Sequence, residues 1–148
     1  MRLAFLFLVS SLIAASQDPW GQREIVQPKI LADRITAKDQ PAIYYVGFPT
    51  LYRNGAHILG ATLAGPCSKA EGLDLLRKAV SDLPRDNEVF IYCGCCPFVK
   101  CPNIRPAYSV LHDMGFTQVK VVMIETNLHT DWIEKGYPAE KAAEKTSQ

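Results

Sequence analysis

Glu88-Val-Phe-Ile-Tyr-Cys93 runs directly into Gly94-Cys-Cys-Pro-Phe-Val-Lys-Cys101-Pro-Asn-Ile-Arg105-Pro106. Val89 to Tyr92 shows no alternation of polar and apolar residues, so a strand here needs both faces covered, as parallel strands inside an α/β domain are. The apolar run stops at a cysteine, and ligands of open α/β sheets sit beyond the carboxyl ends of the strands. Cys93 is therefore predicted at the rim of a sheet. Asn103 is placed to cap the helix that follows, and Pro106 falls in its first turn, where a missing N–H does no harm. The positive end of that helix is expected to face the cysteine loop and to push Cys93 toward thiolate, the nucleophilic form.

On the N-terminal side, Ile25-Val26 reads as a short edge strand, and Pro28 opens a helix through Ile30, Leu31, Arg34 and Ile35, whose spacing makes one apolar face. Ala42 to Val46 is a continuous apolar strand, Leu51-Tyr52 fits one helical turn, and Asn54-Gly55 is a turn signal. His57 to Ala64 is predicted as one further strand. Ser68 and Glu71 have the spacing of a capping box for a helix burying Leu73, Leu76, Ala79 and Val80. On the C-terminal side, Ala107, Val110, Leu111 and Met114 form one helical face ended by Gly115, Val119 to Ile124 is another apolar strand, and a last helix runs from Asn127 through Trp132 to Gly136. Strands alternating with helices in this way predict a mostly parallel sheet between helices.

The ends have a different character. Arg2, the apolar run Leu3 to Ala15 and the small residues Ala14-Ala15-Ser16 predict a secretory signal over residues 1–16, and with it an exported chain, periplasmic or secreted. Residues 17–24 read as a lead-in, 25–138 as the domain, and 139–148, charged and small, as a flexible tail. The full chain has 16 Lys+Arg against 15 Asp+Glu, and Arg2 leaves with the leader. A balanced surface of this kind argues against nucleic acid or, once the leader is removed, an anionic membrane as partner.

Several segments together resemble the rhodanese domain. Ala56-His57-Ile58-Leu59-Gly60-Ala61 is similar to that family's H-I-x-G-A signature, and Ile91-Tyr92-Cys93 to its catalytic strand end. Arg105-Pro106-Ala107 through Gly115-Phe116 resembles its loop-closing helix, and Trp132-Ile-Glu-Lys-Gly-Tyr-Pro138 its C-terminal motif. The resemblance spans about Ile25 to Pro138. It implies a three-layer α/β sandwich with a mostly parallel central sheet, in which Cys93 accepts a sulfane sulfur, becomes a persulfide and passes the sulfur to an acceptor. It also implies a small donor such as thiosulfate, a thiol or cyanide as acceptor, and no cofactor. His57 resembles the family's structural histidine. Three features depart from the pattern: eleven residues separate Cys93 from Arg105, Tyr45-Val46-Gly47 stands where Asp-Val-Arg is usual, and Thr126-Asn127 stands where Gly-Gly is usual. The long spacing also removes the C-x5-R cradle of a phosphatase.

Sulfur transfer needs a low thiolate pKa and shelter for a persulfide anion, for which Arg105, Lys100 and the loop amide at Gly94 are the candidates. Cys95, Cys96 and Cys101 share the loop, and Cys67 is predicted on the same sheet edge. In an oxidising compartment two of these pair as a disulfide, or one of them resolves a persulfide on Cys93. An adjacent Cys95–Cys96 bond is disfavoured by its small ring. The alternative reading is a thiol cluster for Cu(I) or zinc. His112 and His129 have no partner visible in sequence, and Trp132 and Tyr137 are expected to pack the last helix onto the sheet.

Overall fold

A computed structural model describes residues 18–141. The predicted leader therefore lies outside the described residues, as does the tail beyond Lys141. In chain order the elements are β1 (Ile25–Val26), α1 (Pro28–Thr36), β2 (Ala42–Tyr45), α2 (Pro49–Asn54), β3 (Ala56–Ile58), β4 (Ala61–Leu63), α3 (Ala70–Ala79), β5 (Glu88–Tyr92), α4 (Ile104–Asp113), β6 (Gln118–Val122) and β7 (Ala139–Lys141). A 3-10 turn covers Phe98–Lys100 and a π-helical turn His129–Ile133.

Five strands form one sheet in the order β1-β6-β5-β2-β4, and every pairing in it is parallel. The missing alternation of β5 has a direct cause. Val89 and Ile91 pack on one face with Leu76, Val80, Ala107 and Leu111 of the α3/α4 layer, while Phe90 and Tyr92 pack on the other with Leu31, Ala32 and Trp132. Helices thus cover both faces, giving the three-layer α/β architecture. Side chains such as Leu76 and Leu111, fully buried, each contribute about 1.5–3 kcal/mol through the apolar surface they remove from water.

Four local predictions are corrected. His57 to Ala64 is two strands, because the chain turns at Gly60, whose φ of +78° is costly for residues with a Cβ. β3 leaves the main sheet and pairs antiparallel with β7, His57 opposite Glu140, so the charged residues 139–141 begin as a strand. Ser68 does not cap α3: the helix starts after Lys69 with no side-chain cap, and the Ser68 amide instead donates to Asn103 Oδ1 at 2.9 Å. Asn103 in turn makes no side-chain cap for α4.

The lead-in is docked onto the domain. Trp20 is buried against Phe98 and Tyr108, with ring centroids 5.8 and 5.5 Å away. Trp132 and Tyr137 pack edge to face at 5.3 Å, and Trp132 Nε1 donates to Pro138 O at 2.8 Å, in agreement with their expected packing role.

Candidate active site

From β2 the chain moves outward to β4, then returns to place β5 on the opposite side of β2. Such a reversal of direction opens a crevice at the carboxyl ends of the two strands concerned, where open α/β sheets bind ligands. Tyr45 and Tyr92, paired in register, end these two strands. Val46-Gly47 follows one and Cys93-Gly94 the other, and Val46 N donates to Tyr92 O at 2.9 Å, continuing the ladder to the crevice.

Cys93 is 2 % exposed, yet it lines a cleft of about 330 Å³ with Tyr45, Tyr52, His57, Cys95 and Leu128. Gly47 is what lets this wall close. A Cβ there would lie 2.8 Å from Cys93 Sγ and 2.6 Å from Tyr45 Oη, so the uncharged residue standing in a usually charged motif makes room for the thiol. Tyr45 donates its hydroxyl to Phe48 O, and burial holds that hydroxyl far above the usual tyrosine range. His57 stacks on Tyr52 at 3.8 Å and its Nε2 is 3.6 Å from Glu140 Oε1. Its buried Nδ1 has no hydrogen-bond partner among the described residues.

The cysteine loop is tied down across the crevice. Gly94 O accepts from Leu128 N at 3.0 Å, and Phe98 N donates to Glu125 O at 3.1 Å. Gly94 adopts a φ of +81°, and a Cβ on it would come within 2.8 Å of the Leu128 Cβ, so glycine is required both by conformation and by close approach. This reversal folds Cys95 back over Cys93, and their sulfurs are 2.9 Å apart. Cys96 Sγ lies 3.5 Å from Cys95 Sγ.

Asn103 completes the surroundings and was missed as a site residue. Fully buried, it donates from Nδ2 to Cys93 Sγ at 3.5 Å and to Cys95 Sγ at 4.0 Å, while its Oδ1 holds the Ser68 amide. An asparagine ahead of a helix reads as a cap in sequence. Only the three-dimensional position of Cys93 turns it inward.

The electrostatics differ from the sequence expectation. The Cys93 thiol, hydrogen-bonded to Cys101 and Cys95 and buried, is held well above the ordinary thiol range. The neighbouring Cys93 and Cys95 thiols, with the backbone N–H groups of Asn103 and Ile104, outweigh burial and hold Cys101 far below that range. Cys95 is raised chiefly by its hydrogen bond with Cys101, and Cys96 is pushed up to about 12, chiefly by burial. The start of α4 thus serves Cys101 rather than Cys93.

The cation expected at this anion is also elsewhere. Arg105 donates from Nε to Asp18 Oδ1 at 2.8 Å, brings a second nitrogen to 2.6 Å of the same oxygen, and lies 5.5 Å over the Trp20 ring. It touches the loop only through Cys101 O. Lys100 is exposed at the end of the 3-10 turn. Cys67 is sealed in the core, its thiol donating to Ala64 O at 3.2 Å and lying 3.7 Å from Gly72 O, and it is pushed up to about 12 by burial. All five thiols are unpaired. Of the histidines without a predicted partner, His112 is exposed and stacks beside Tyr108, while His129 is exposed 3.3 Å from Glu134.

With this geometry the chain can be set beside known proteins. No protein-family model matches the sequence, and no curated protein does. Solved structures do. A rhodanese-like domain from Anabaena is 20 % identical, the match covering 84 % of this chain and 83 % of that one with a TM-score of 0.60. The chain has a rhodanese-like fold. A Bacillus halodurans protein is similar at 17 % identity, 80 % and 77 % coverage and a TM-score of 0.62. A polysulfide-sulfur transferase from Wolinella succinogenes, described as a homodimer, is similar at 15 % identity, 84 % and 82 % coverage and a TM-score of 0.53. Within this rhodanese-like frame, the crevice between β2 and β5 is where the sulfurs of Cys93, Cys95 and Cys96 are gathered.

Proposed function

We propose that the chain is a sulfurtransferase that carries sulfane sulfur as a persulfide on Cys93, taking it from a donor such as thiosulfate and passing it to a thiophilic acceptor. The observation that carries this reading is the position of Cys93. A thiol at the end of the central strand, on the wall of a cleft at the point where the strand order reverses, is presented to a small ligand while the rest of the sheet is covered. One of the similar solved structures is a polysulfide-sulfur transferase, and this too favours the reading.

In the proposed chemistry, Cys93 gives its proton to the neighbouring Cys101, whose thiol is held far below the ordinary range, as its sulfur attacks the sulfane sulfur of the donor. A nucleophile paired with an adjacent base in this way needs no permanent charge of its own. The donor's sulfur–sulfur bond breaks and the remainder, sulfite in the case of thiosulfate, leaves. Asn103 Nδ2 is a hydrogen-bond donor to the sulfur at Cys93. The residues lining the cleft include no lysine and no arginine, and most present aromatic or aliphatic surface. An organic persulfide is therefore expected to react faster than dianionic thiosulfate, whose lost hydration finds no cation here. Export of the protein is part of the proposal, supported by the signal-like sequence of residues 1–16.

The test is the donor half-reaction. Reduced protein mixed with thiosulfate should release about one equivalent of sulfite per chain, and Cys93→Ser should slow that release by at least ~10³-fold, the scale on which nucleophile removal acts. Undiminished release from Cys93→Ser would overturn the assignment.

A second reading has one observation of its own: the sulfurs of Cys93, Cys95 and Cys96 all lie within 4.8 Å of one another, a spacing a soft ion such as Cu(I), or zinc, can bridge. Metal analysis of protein purified under reducing conditions separates the two. Stoichiometric copper or zinc together with absent sulfite release supports binding, and the converse supports transfer.

A further inference from the structure

Cys95 has features that a simple sulfur carrier does not need. Cys93 is 2 % exposed, so an external thiol must enter the cleft to reach a persulfide there, whereas a second thiol of the same chain already stands 2.9 Å from it. That approach is imposed by the backbone. Gly94 turns the chain at a φ of +81°, and its carbonyl is pinned by the Leu128 amide, so Cys95 is delivered to Cys93 rather than drifting onto it. Closing the gap to a sulfur–sulfur bond takes a movement of under about 1 Å. Cys96 is 3.5 Å from Cys95, but its adjacency would force a small strained ring, and Cys93, whose sulfur is nearer at 2.9 Å, is the favoured partner of Cys95.

We propose that Cys95 resolves the persulfide on Cys93, so that the loop releases its carried sulfur as sulfide and is left as a Cys93–Cys95 disulfide. This inference rests on the sulfur-carrying role of Cys93. The Cys95 sulfur bonds to the Cys93 sulfur, and the bond from Cys93 to the outer sulfur breaks. That sulfur takes the bonding electron pair and, with the proton from Cys95, departs as hydrogen sulfide. The sulfane sulfur is reduced by two electrons, and the two cysteine sulfurs are oxidised by one electron each. No external oxidant enters. A further cycle requires a dithiol reductant to reopen the disulfide. Intramolecular attack by a thiol held in contact competes with external acceptors at an effective concentration they cannot match. The first acceptor of the sulfur is thus the chain's own second thiol.

The experiment follows the sulfur after one turnover. Reduced full-length protein is treated with thiosulfate and, separately, with glutathione persulfide, then read by intact mass, by sulfide release, and by alkylation of the remaining thiols. Wild type is expected to lose 2 Da, release about one sulfide per chain, and leave Cys93 and Cys95 as the two unalkylated cysteines. Cys95→Ser and Cys95→Ala, each checked for an unchanged unfolding midpoint, should gain 32 Da on Cys93 and release sulfide ~10²-fold more slowly. Sulfite released while wild type retains the 32 Da on Cys93 or Cys95 would overturn the resolving role and leave the carrier role standing. So would sulfide release that survives both Cys95 variants, or a disulfide mapped to another pair. No sulfur abstraction by any variant would overturn both.

Discussion

Two buried cysteines lie at the same edge of this sheet and share one apolar core, and they are opposite in chemical character. Cys67 follows β4 and Cys93 follows β5. Carbonyl oxygens surround the first: its S–H has Ala64 O and Gly72 O, which accept a proton's hydrogen bond and repel a negative sulfur. The second is surrounded by groups that donate or exchange protons, namely Asn103 Nδ2, Cys95 and Cys101, and it borders a cleft. Burial alone therefore says little about a thiol. What faces the sulfur decides whether it is filler or reagent.

The largest expected effect contrasts the two thiols in one tube. At pH 7 a single equivalent of iodoacetamide should label within residues 93–101 and leave Cys67 untouched. A thiol pushed up to about 12 has a thiolate fraction about 10³-fold below that of an ordinary cysteine, whereas the loop cluster ionises at Cys101 well below the usual range. Peptide mapping after the pulse checks this, and label on Cys67 in folded protein would erase the contrast. The same shift has a consequence for stability. Because folding raises the Cys67 pKa, the stability tied to its neutral form is complete below the unfolded value near 9 and is lost as pH rises toward 12. The full loss over that window is about 4 kcal/mol, three units at about 1.4 kcal/mol each. Urea unfolding of reduced wild type and Cys67→Ala between pH 8 and 11 should show a steeper decline in the wild type.

A smaller effect is expected at Asn103, where the comparison can be sharpened. Asn103→Ala removes the acceptor of the Ser68 amide and the donor to Cys93, making the surroundings of Cys93 resemble those of Cys67. Stability should fall by about 1–3 kcal/mol, the usual cost of stranding buried hydrogen-bonding groups. Sulfite release should fall ~10-fold beyond anything explained by unfolding. The smallest effect is expected at Arg105. Its charge is matched by Asp18, so Arg105→Gln should change sulfite release by less than ~3-fold and cost at most about 1 kcal/mol, as exposed ion pairs do. A loss comparable to that of Cys93→Ser would return Arg105 to the anion.

The sheet and its helices were legible because the apolar runs at Ala42 and Val89, and the one from Val119 interrupted by Lys120, read as strands covered on two sides, and the placement of Cys93 followed from where one of those runs ends. The interior of the loop was not legible to the same degree. Between Cys93 and Arg105 there is no periodicity to read, and the outcome rests on two glycines: Gly47, which leaves room beside the Cys93 sulfur, and Gly94, which leaves room against Leu128. The reassignment of the α4 amides from Cys93 to Cys101, and of Arg105 to Asp18, depends on contacts between segments far apart in sequence. Asp18 and Trp20 lie in a polar stretch with no pattern of its own, and their docking onto α4 had no local signal. The break of His57 to Ala64 into two strands did have one, at Gly60, where the similarity to a family signature hid a turn.

The packing of Trp20 also gives the chain an optical reporter. The sequence holds two tryptophans, and Trp132 belongs to the core on the other face of the sheet. Trp20 alone rests on Phe98, inside the cysteine loop, and beside Tyr108. Any rearrangement of that loop during a catalytic cycle changes the surroundings of one indole, so ultraviolet emission can follow turnover in stopped flow without an added dye.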